Sequence, residues 1–510
     1  MKKRIFAALL ALCLTALTGC DWSTADPEDI FGTLTDYYNV EQKKQDVKLT
    51  SFALPYLKGE TADPITCPDG AMQTLGALLY EGLFALDGSF APQPALAESY
   101  TYDAARYTYT ITLRSGVTFS DGSAVTAQDV ANSLRRAQSS ARYSGRLAEV
   151  SDIRASGGAV RITLTGDNRS FVSRLDIPIV KSGTESNTFP TGTGPYAYSG
   201  EGGAHLAQNA SWWQGKSLPL ERIELTACKD TDSVSYAFYA REVQLLFCDL
   251  TGADDSSVYG SGDYTDAATT IMQYLCLNTR RPPFDDPAVR RAVTLGVDRA
   301  SCVSAYLLGH GLAAQFPVSP ASGLYPKDLE TAYSQDGYAS ALEAAGLNTG
   351  KTRSLTLLVN QESSFRVSTA QTIAAGLSRC DLQVTVRSLP YDQYVQALEQ
   401  GDFDLCLCQV KLTADWDLRP LLQSYAAMNY GGFTDPETDA LLAALCAAEA
   451  GERSAAMTAL CEKLLDQAPM VPVCFKSYSV LLPAGAASSP ITPTASNPFY
   501  GISDWKLNMK

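Results

Sequence analysis

Residues 271–311 read I-M-Q-Y-L-C-L-N-T-R-R-P-P-F-D-D-P-A-V-R-R-A-V-T-L-G-V-D-R-A-S-C-V-S-A-Y-L-L-G-H-G. Ile271 to Leu277 is a short, mostly apolar run with the length and composition of a buried strand. Pro282 and Pro283 end it, because neither can donate to a ladder hydrogen bond. Asp286 then stands as an N-cap with Pro287 at the first helical position. Val289, Val293 and Val297 follow at four-residue spacing and are expected to face a core. Asp298 can cap a second helix carrying Val303, Leu307 and Leu308, closed by Gly309. The pattern is strand, turn and helix pair, as in an α/β protein.

Outward from this stretch, 510 residues exceed what one hydrophobic core usually supports, so two or more lobes are expected. Charged residues at 19% and hydrophobic ones at 45% are ordinary for a soluble globular chain. The net charge of −15 argues against nucleic acid as a partner, since phosphate binding needs a basic face.

The N-terminus reads as an address. Lys2, Lys3 and Arg4 precede an apolar run, Ile5 to Ala16, too short to span a bilayer in a mature protein. It ends in Leu17-Thr18-Gly19-Cys20, which resembles a bacterial lipobox and implies diacylation of Cys20. Two acyl chains suffice for stable anchoring, where one is marginal. Beyond Cys13 and Cys20, eleven cysteines remain, an odd number that cannot all pair within one chain. Most sit in apolar runs, where a thiol packs as a small hydrophobe. Cys228 and Cys248, ending neighbouring strand-like runs, are the pair best placed for a disulfide.

Farther along, Val47 to Leu54 is expected as the first strand, and Met72, Leu75, Leu79 and Leu83 mark a helix. Residues 94–137 contain P-A-L-A-E-S-Y-T-Y-D and R-Y-T-Y-T-I-T-L-R-S-G-V-T-F-S-D-G-S-A-V-T-A-Q-D-V. Tyr107 to Leu113 alternates as a half-buried strand does, and Asp121-Gly122 is a turn signal. Thr126 can cap a helix whose Asp129 favours the positive end of the dipole. Phe189 to Tyr196, F-P-T-G-T-G-P-Y, demands a tight backbone conformation at its two glycines. After residue 350, strands (355–359, 382–386, 403–409) alternate with helices (365–377, 391–399), which implies parallel pairing. Two more helices, 439–448 and 454–467, precede the apolar M-V-P-V-C-F-K-S-Y-S-V.

The wording of 94–137, the G-T-G-P-Y element and the N-T-x-x-P-P-F-D-D-P-x-V-R run resemble the family 5 extracellular solute-binding proteins, the large peptide- and nickel-type receptors of ABC importers. The resemblance implies a two-lobe periplasmic-binding-protein-like α/β fold (type II, large cluster) with discontinuous lobes. The expected partition is signal 1–19, lipidated tether 20–46, and a first lobe from 47–70, 182–270 and 478–510. An extra subdomain, 71–181, belongs to that lobe. The second lobe is 277–474, with a hinge near 271–277 and 474–478. It also implies binding residues. Asp415 and Trp416, in V-K-L-T-A-D-W-D-L-R-P, match an aspartate that pairs with a peptide's α-amino group and the aromatic after it. Asp417 follows so closely that the choice of carboxylate stays open. Asn429 and Tyr430 match an element beside the cleft, and the Cys67-Pro68-Asp69 loop one that touches ligand through its backbone. A carboxylate reserved for ligand should matter little to stability without it.

An enzyme is the competing class. There is no G-x-S-x-G and no H-E-x-x-H, and only His205 and His310 are available for nucleophilic or metal chemistry. No catalytic residue, metal or cofactor is expected. The expectation is a monomeric, lipid-anchored receptor outside the cytoplasmic membrane, binding an oligopeptide or dipeptide and passing it to permease and ATPase subunits. A metal chelate, an oligosaccharide or a sensory role stay open, with a secreted hydrolase more remote.

Overall fold

The computed structural model describes residues 48–68, 70–251 and 262–510. Cys20, the signal, the tether and Asp69 lie outside the described residues. The strand containing Ile271–Leu277 is longer than its apolar run, spanning Asp263–Leu277. It pairs antiparallel with Met470–Leu482, with a register shift between Ala268 and Met272, and its second half pairs antiparallel with Leu405–Lys411. Arg353–Asn360 then joins Leu405–Lys411 and Leu382–Leu389, both in parallel. The expected parallel series is present. Its attachment to two long antiparallel strands was not in the local pattern, because pairing partners 128 or more residues apart leave no local mark.

Both faces of this sheet are covered. Leu275, Leu277, Leu357, Val359, Leu405 and Leu407 enter one core, with Val289, Val293 and Val297 of the helix Pro287–Gly296. Tyr274, Cys276, Leu358, Cys406 and Cys408 enter the opposite core, with Phe475 and Trp416. Successive side chains point to opposite faces, so a strand buried on both is almost continuously apolar, and the buried Gln273 donates to Gln409 Oε1 at 3.1 Å. Each fully buried leucine or valine contributes about 1.5–3 kcal/mol.

Local signals act as read. Asp286 accepts from Ala288 N, Asp298 from Ser301 N, and Thr126 with Asp129 closes a reciprocal capping box. Leu83 and Leu308 are exceptions. Leu83 falls past the helix Ala71–Leu79. Leu308 falls past the helix Arg299–Tyr306, with positive φ, and is 47% exposed. The first strand forms later than expected, at Ala53–Leu57, where a parallel partner, Arg222–Cys228, is in register. Just before this strand, Leu49 N donates to Asn508 O (2.7 Å) and Lys510 N to Leu49 O (2.9 Å). A separate antiparallel sheet, 97–103, 108–113, 159–164 and 150–156, carries the helix Ala127–Gln138 and has its own core around Tyr109, Ile111, Leu134 and Phe171.

The eleven cysteines from Cys67 to Cys474 are all thiols, Cys228 and Cys248 included. Gly192 and Gly194 are glycine for a different reason from the one expected. Neither has positive φ. A Cβ on Gly192 would stand 2.1 Å from the Leu79 carbonyl oxygen, and one on Gly194 2.3 Å from that of Leu78. The requirement is close approach of two backbones.

Candidate functional site

Leu405–Lys411 delivers the chain into the loop holding Asp415, Trp416 and Asp417, all three buried. Trp416 has φ +55°, a left-handed conformation uncommon for a bulky side chain. It is held edge-on by Phe475 (5.9 Å between ring centroids) and by Phe90 (5.2 Å). Phe90 comes from the distant hairpin Phe84–Leu86/Pro92–Pro94, also has positive φ, and is buried in the same core as Trp416. Two strained residues therefore meet where the 71–181 region touches the seven-stranded sheet's core, and their packing offsets the strain.

The carboxylates beside Trp416 are met by guanidinium groups. Arg174, at the end of the 3-10 turn Phe171–Arg174, donates from Nε to Asp415 Oδ2 at 2.6 Å and from Nη2 to Asp417 Oδ2 at 3.0 Å. Asn168 Nδ2 adds a second donor to Asp415 Oδ2 at 2.8 Å. Arg419 grips Asp417 through Nε (2.8 Å) and Nη2 (2.9 Å). Glu149 Oε1 accepts from Arg174 (3.1 Å) and Arg419 (2.9 Å). Arg453 Nη2 donates to the Asp415 backbone oxygen at 2.6 Å. The side chains of Arg174, Asp415 and Asp417 are 4%, 1% and 5% exposed, so water does little to screen them. Asp415 Oδ1 is buried and has no hydrogen-bond partner.

These surroundings set the ionisation. Burial works to raise the Asp417 carboxyl, but hydrogen bonds from Arg419 and the nearby guanidinium charges outweigh it and hold the group well below the ordinary range. For Glu149 burial wins, and its pKa is raised despite Arg174. Burial disfavours the Arg174 cation, yet Asp415, Glu149 and Asp417 together raise its pKa.

The other expected residues lie elsewhere. Asn429 spends its side chain on a turn, donating to Gln423 O (3.1 Å) and Phe433 O (2.7 Å) and accepting from Phe433 N. Gly431 lies against the Leu277 carbonyl, beside the start of Leu405–Lys411, whereas Asp415 follows its end. Seven residues of strand, roughly 20 Å, separate those ends. Tyr430 is half-buried, and its carbonyl accepts from Arg280 Nη2. Cys67 is buried and Pro68 half-buried. Their loop is tied to the 71–181 region through Arg142, which donates to Cys67 O, and through the Arg136–Asp63 ion pair. Ile65, Thr66, Arg135, Arg136, Ser139 and Ser140 line an open depression of about 430 Å³ beside it.

Arg174, Glu149, Asn168 and Phe90 were not singled out from sequence. An arginine between Phe171, Val172 and Leu175 hints at a buried charge, but its partner is 241 residues away. Arg419 stands two residues after Asp417 in the same loop, where nothing in the sequence marks it as that carboxylate's partner. Among the described residues no group of three or more His, Cys, Asp or Glu side chains is arranged to hold a metal ion.

Residues 91–427 match the family described as bacterial extracellular solute-binding proteins, family 5 Middle. The chain is 25% identical over 452 residues to the glutathione-binding protein GsiB of Escherichia coli (strain K12), covering 81% of this chain and 86% of that one. The match to GsiB of Shigella flexneri serotype 5b (strain 8401) is 28% over 294 residues, 54% of this chain and 55% of its relative. In structure it resembles a nickel ABC transporter protein from Bacillus halodurans, with TM-score 0.74 at 20% identity, covering 90% of this chain and 99% of the other. It also resembles the unliganded open form of MppA, a periplasmic murein tripeptide binding protein, with TM-score 0.72 at 19% identity and coverage of 86% and 94%. These likenesses show the fold, a two-lobed mixed α/β architecture.

Proposed function

The chain belongs to the family 5 bacterial extracellular solute-binding proteins, a family of transport receptors, and from that premise we propose that it binds a short peptide and hands it to an ABC permease. The observation that carries this reading is Asp415 Oδ1, a buried carboxylate oxygen with no donor. Buried acceptors are nearly always satisfied, and leaving one unpaired costs about 1–3 kcal/mol. A peptide's α-ammonium supplies donors and charge together, and a charge-assisted bond is about twice as strong as a neutral one. Relatives named for glutathione and for a murein tripeptide support a peptide, and a structural neighbour named for nickel makes a metal chelate the second reading. The same reading takes Cys20 as the lipid anchor and the receptor as a monomer that closes on its ligand, with any ATP hydrolysis in a separate subunit. Among the described residues no helix is long and apolar enough to cross a membrane.

Calorimetric titration with di- to pentaalanine and glutathione, each beside its N-acetylated form, tests the proposal. Free peptides should bind and acetylated ones should not. Equal binding of both forms would remove the ammonium reading and put another solute class first.

A further inference from the structure

Asp415 has a second feature besides its unpartnered oxygen, namely how the carboxylate is held. Both donors to it come from one short segment: Arg174 Nε at 2.6 Å and Asn168 Nδ2 at 2.8 Å, both on Oδ2. The Arg174 guanidinium cannot swing away easily. Nη2 is committed to Asp417 and Glu149, and Nη1 donates to the Arg146 carbonyl at 3.3 Å. An arginine is always charged, and its planar fork fixes the acceptors it meets. Oδ2 is thus saturated from within the chain, while Oδ1 is left over.

We infer that Arg174 is a positioning residue for ligand binding: it clamps Asp415 through Oδ2 and presents Oδ1 to the ligand's cation. This rests on the peptide reading above. Arg174 and the ligand ammonium use different oxygens of one carboxylate, so the arginine assists the ligand and does not compete with it. Without that clamp the carboxylate can rotate about its side-chain torsion, and Oδ1 loses its fixed aim. Arg174 stands on the 71–181 region and Asp415 on the loop after Leu405–Lys411, so affinity depends on these two parts staying docked. The other charged or titratable groups facing this pair are Glu149, Asp417, Arg419, Arg453 and Cys446.

Two experiments on the full chain test the inference. In the first, trialanine is titrated into wild type, Arg174→Met and Arg174→Lys. Arg174→Met should lose affinity by about tenfold or more, because Oδ1 is no longer held toward the ligand's cation. Arg174→Lys should restore part of the loss. Wild-type affinity in Arg174→Met would overturn the inference.

The second experiment uses no ligand and measures urea unfolding of wild type, Arg174→Met, Asp415→Asn and the double variant. Groups in direct contact are coupled, so the losses of the two single variants should not add up in the double one. Additive losses would mean that Arg174 does not hold Asp415. If wild type binds free and acetylated trialanine alike, the peptide reading fails, while the unfolding comparison still decides the role of Arg174.

Discussion

Two sets of carboxylates in this chain, half-buried Glu81 and buried Asp415 and Asp417, are held in opposite ways. Glu81 accepts from Trp212 Nε1 (3.1 Å), Trp213 Nε1 (2.6 Å) and Gln214 Nε2 (3.3 Å), all neutral donors from one sequence triplet. Asp415 and Asp417 are held by Arg174, Asn168 and Arg419, two of them cations and two of them from the far 71–181 region. Burial pushes the Glu81 carboxyl upward because indole N–H groups only partly replace water. The guanidiniums drive Asp417 the other way. A carboxylate held by neutral donors makes a fixed strut whose energy depends on no mobile charge. One held across an interface by cations responds to any further charge that arrives, and a binding site requires that response.

The largest effect should fall on the ionic side. Asp415→Asn should weaken binding of a free tripeptide roughly 10²- to 10⁴-fold, since removing one partner of a buried pair costs about 3–5 kcal/mol. It should also lower the melting temperature without ligand, because Arg174 loses an anion. The expectation that a ligand-reserved carboxylate leaves stability unchanged does not follow once Arg174 is seen to share it. Calorimetry on both counts checks this. Glu81→Gln, by contrast, should keep tripeptide affinity within about twofold and cost only about 1–2 kcal/mol of stability, as an amide N–H then faces an indole N–H. A large affinity loss in Glu81→Gln would erase the distinction between the two sites.

Next in size is the backbone contact beside Glu81. Gly194→Ala should destabilise by about 3 kcal/mol or more in urea unfolding, because the new Cβ would meet the Leu78 carbonyl oxygen at 2.3 Å. A neutral outcome would show that the loop can shift and is no strut.

The pH dependence should split by sign. Asp417, with its folded-state pKa lowered, contributes stability that is present above about pH 4 and lost as pH falls toward its folded-state value. Glu149, with its pKa raised, contributes stability that is present at low pH and lost as pH rises through its folded-state value. Unfolding profiles of Asp417→Asn and Glu149→Gln should flatten the acid limb and the opposite limb respectively. Identical profiles would mean that the two groups titrate as one.

The smallest effect should be that of Asn429→Ala. Its side chain closes a turn, so the cost should be about 1 kcal/mol, with tripeptide affinity within about twofold. A binding loss beyond tenfold would return Asn429 to the ligand.

Much of the fold was legible because its causes are local. Asp286-Pro287, Asp298 and Thr126-x-x-Asp129 are capping chemistry within three residues, and Val289, Val293 and Val297 form a stripe that any core would bury. The apolar stretch at 271–277 announced a strand, since burial on both faces permits no polar alternation. The motifs of 94–137 and 189–196 carried the family. The site was legible only in part. Asp415, Trp416 and Asp417 could be named, but not whether they meet solvent, ligand or the chain itself.

Sequence by itself determined the elements, their caps, the buried strands and the family, because each depends on residues a few positions apart or on wording that survives in relatives. Only the tertiary structure decided that Asp263–Leu277 runs on beside Met470–Leu482, that Gly192 and Gly194 are glycine for want of room, and that Phe90 packs on Trp416. It alone brought Arg174 within 2.6 Å of a carboxylate 241 residues away, leaving one oxygen of Asp415 without a donor. Coulomb attraction and desolvation depend on distance in space and on what excludes water, and neither is written in the spacing of residues along the chain.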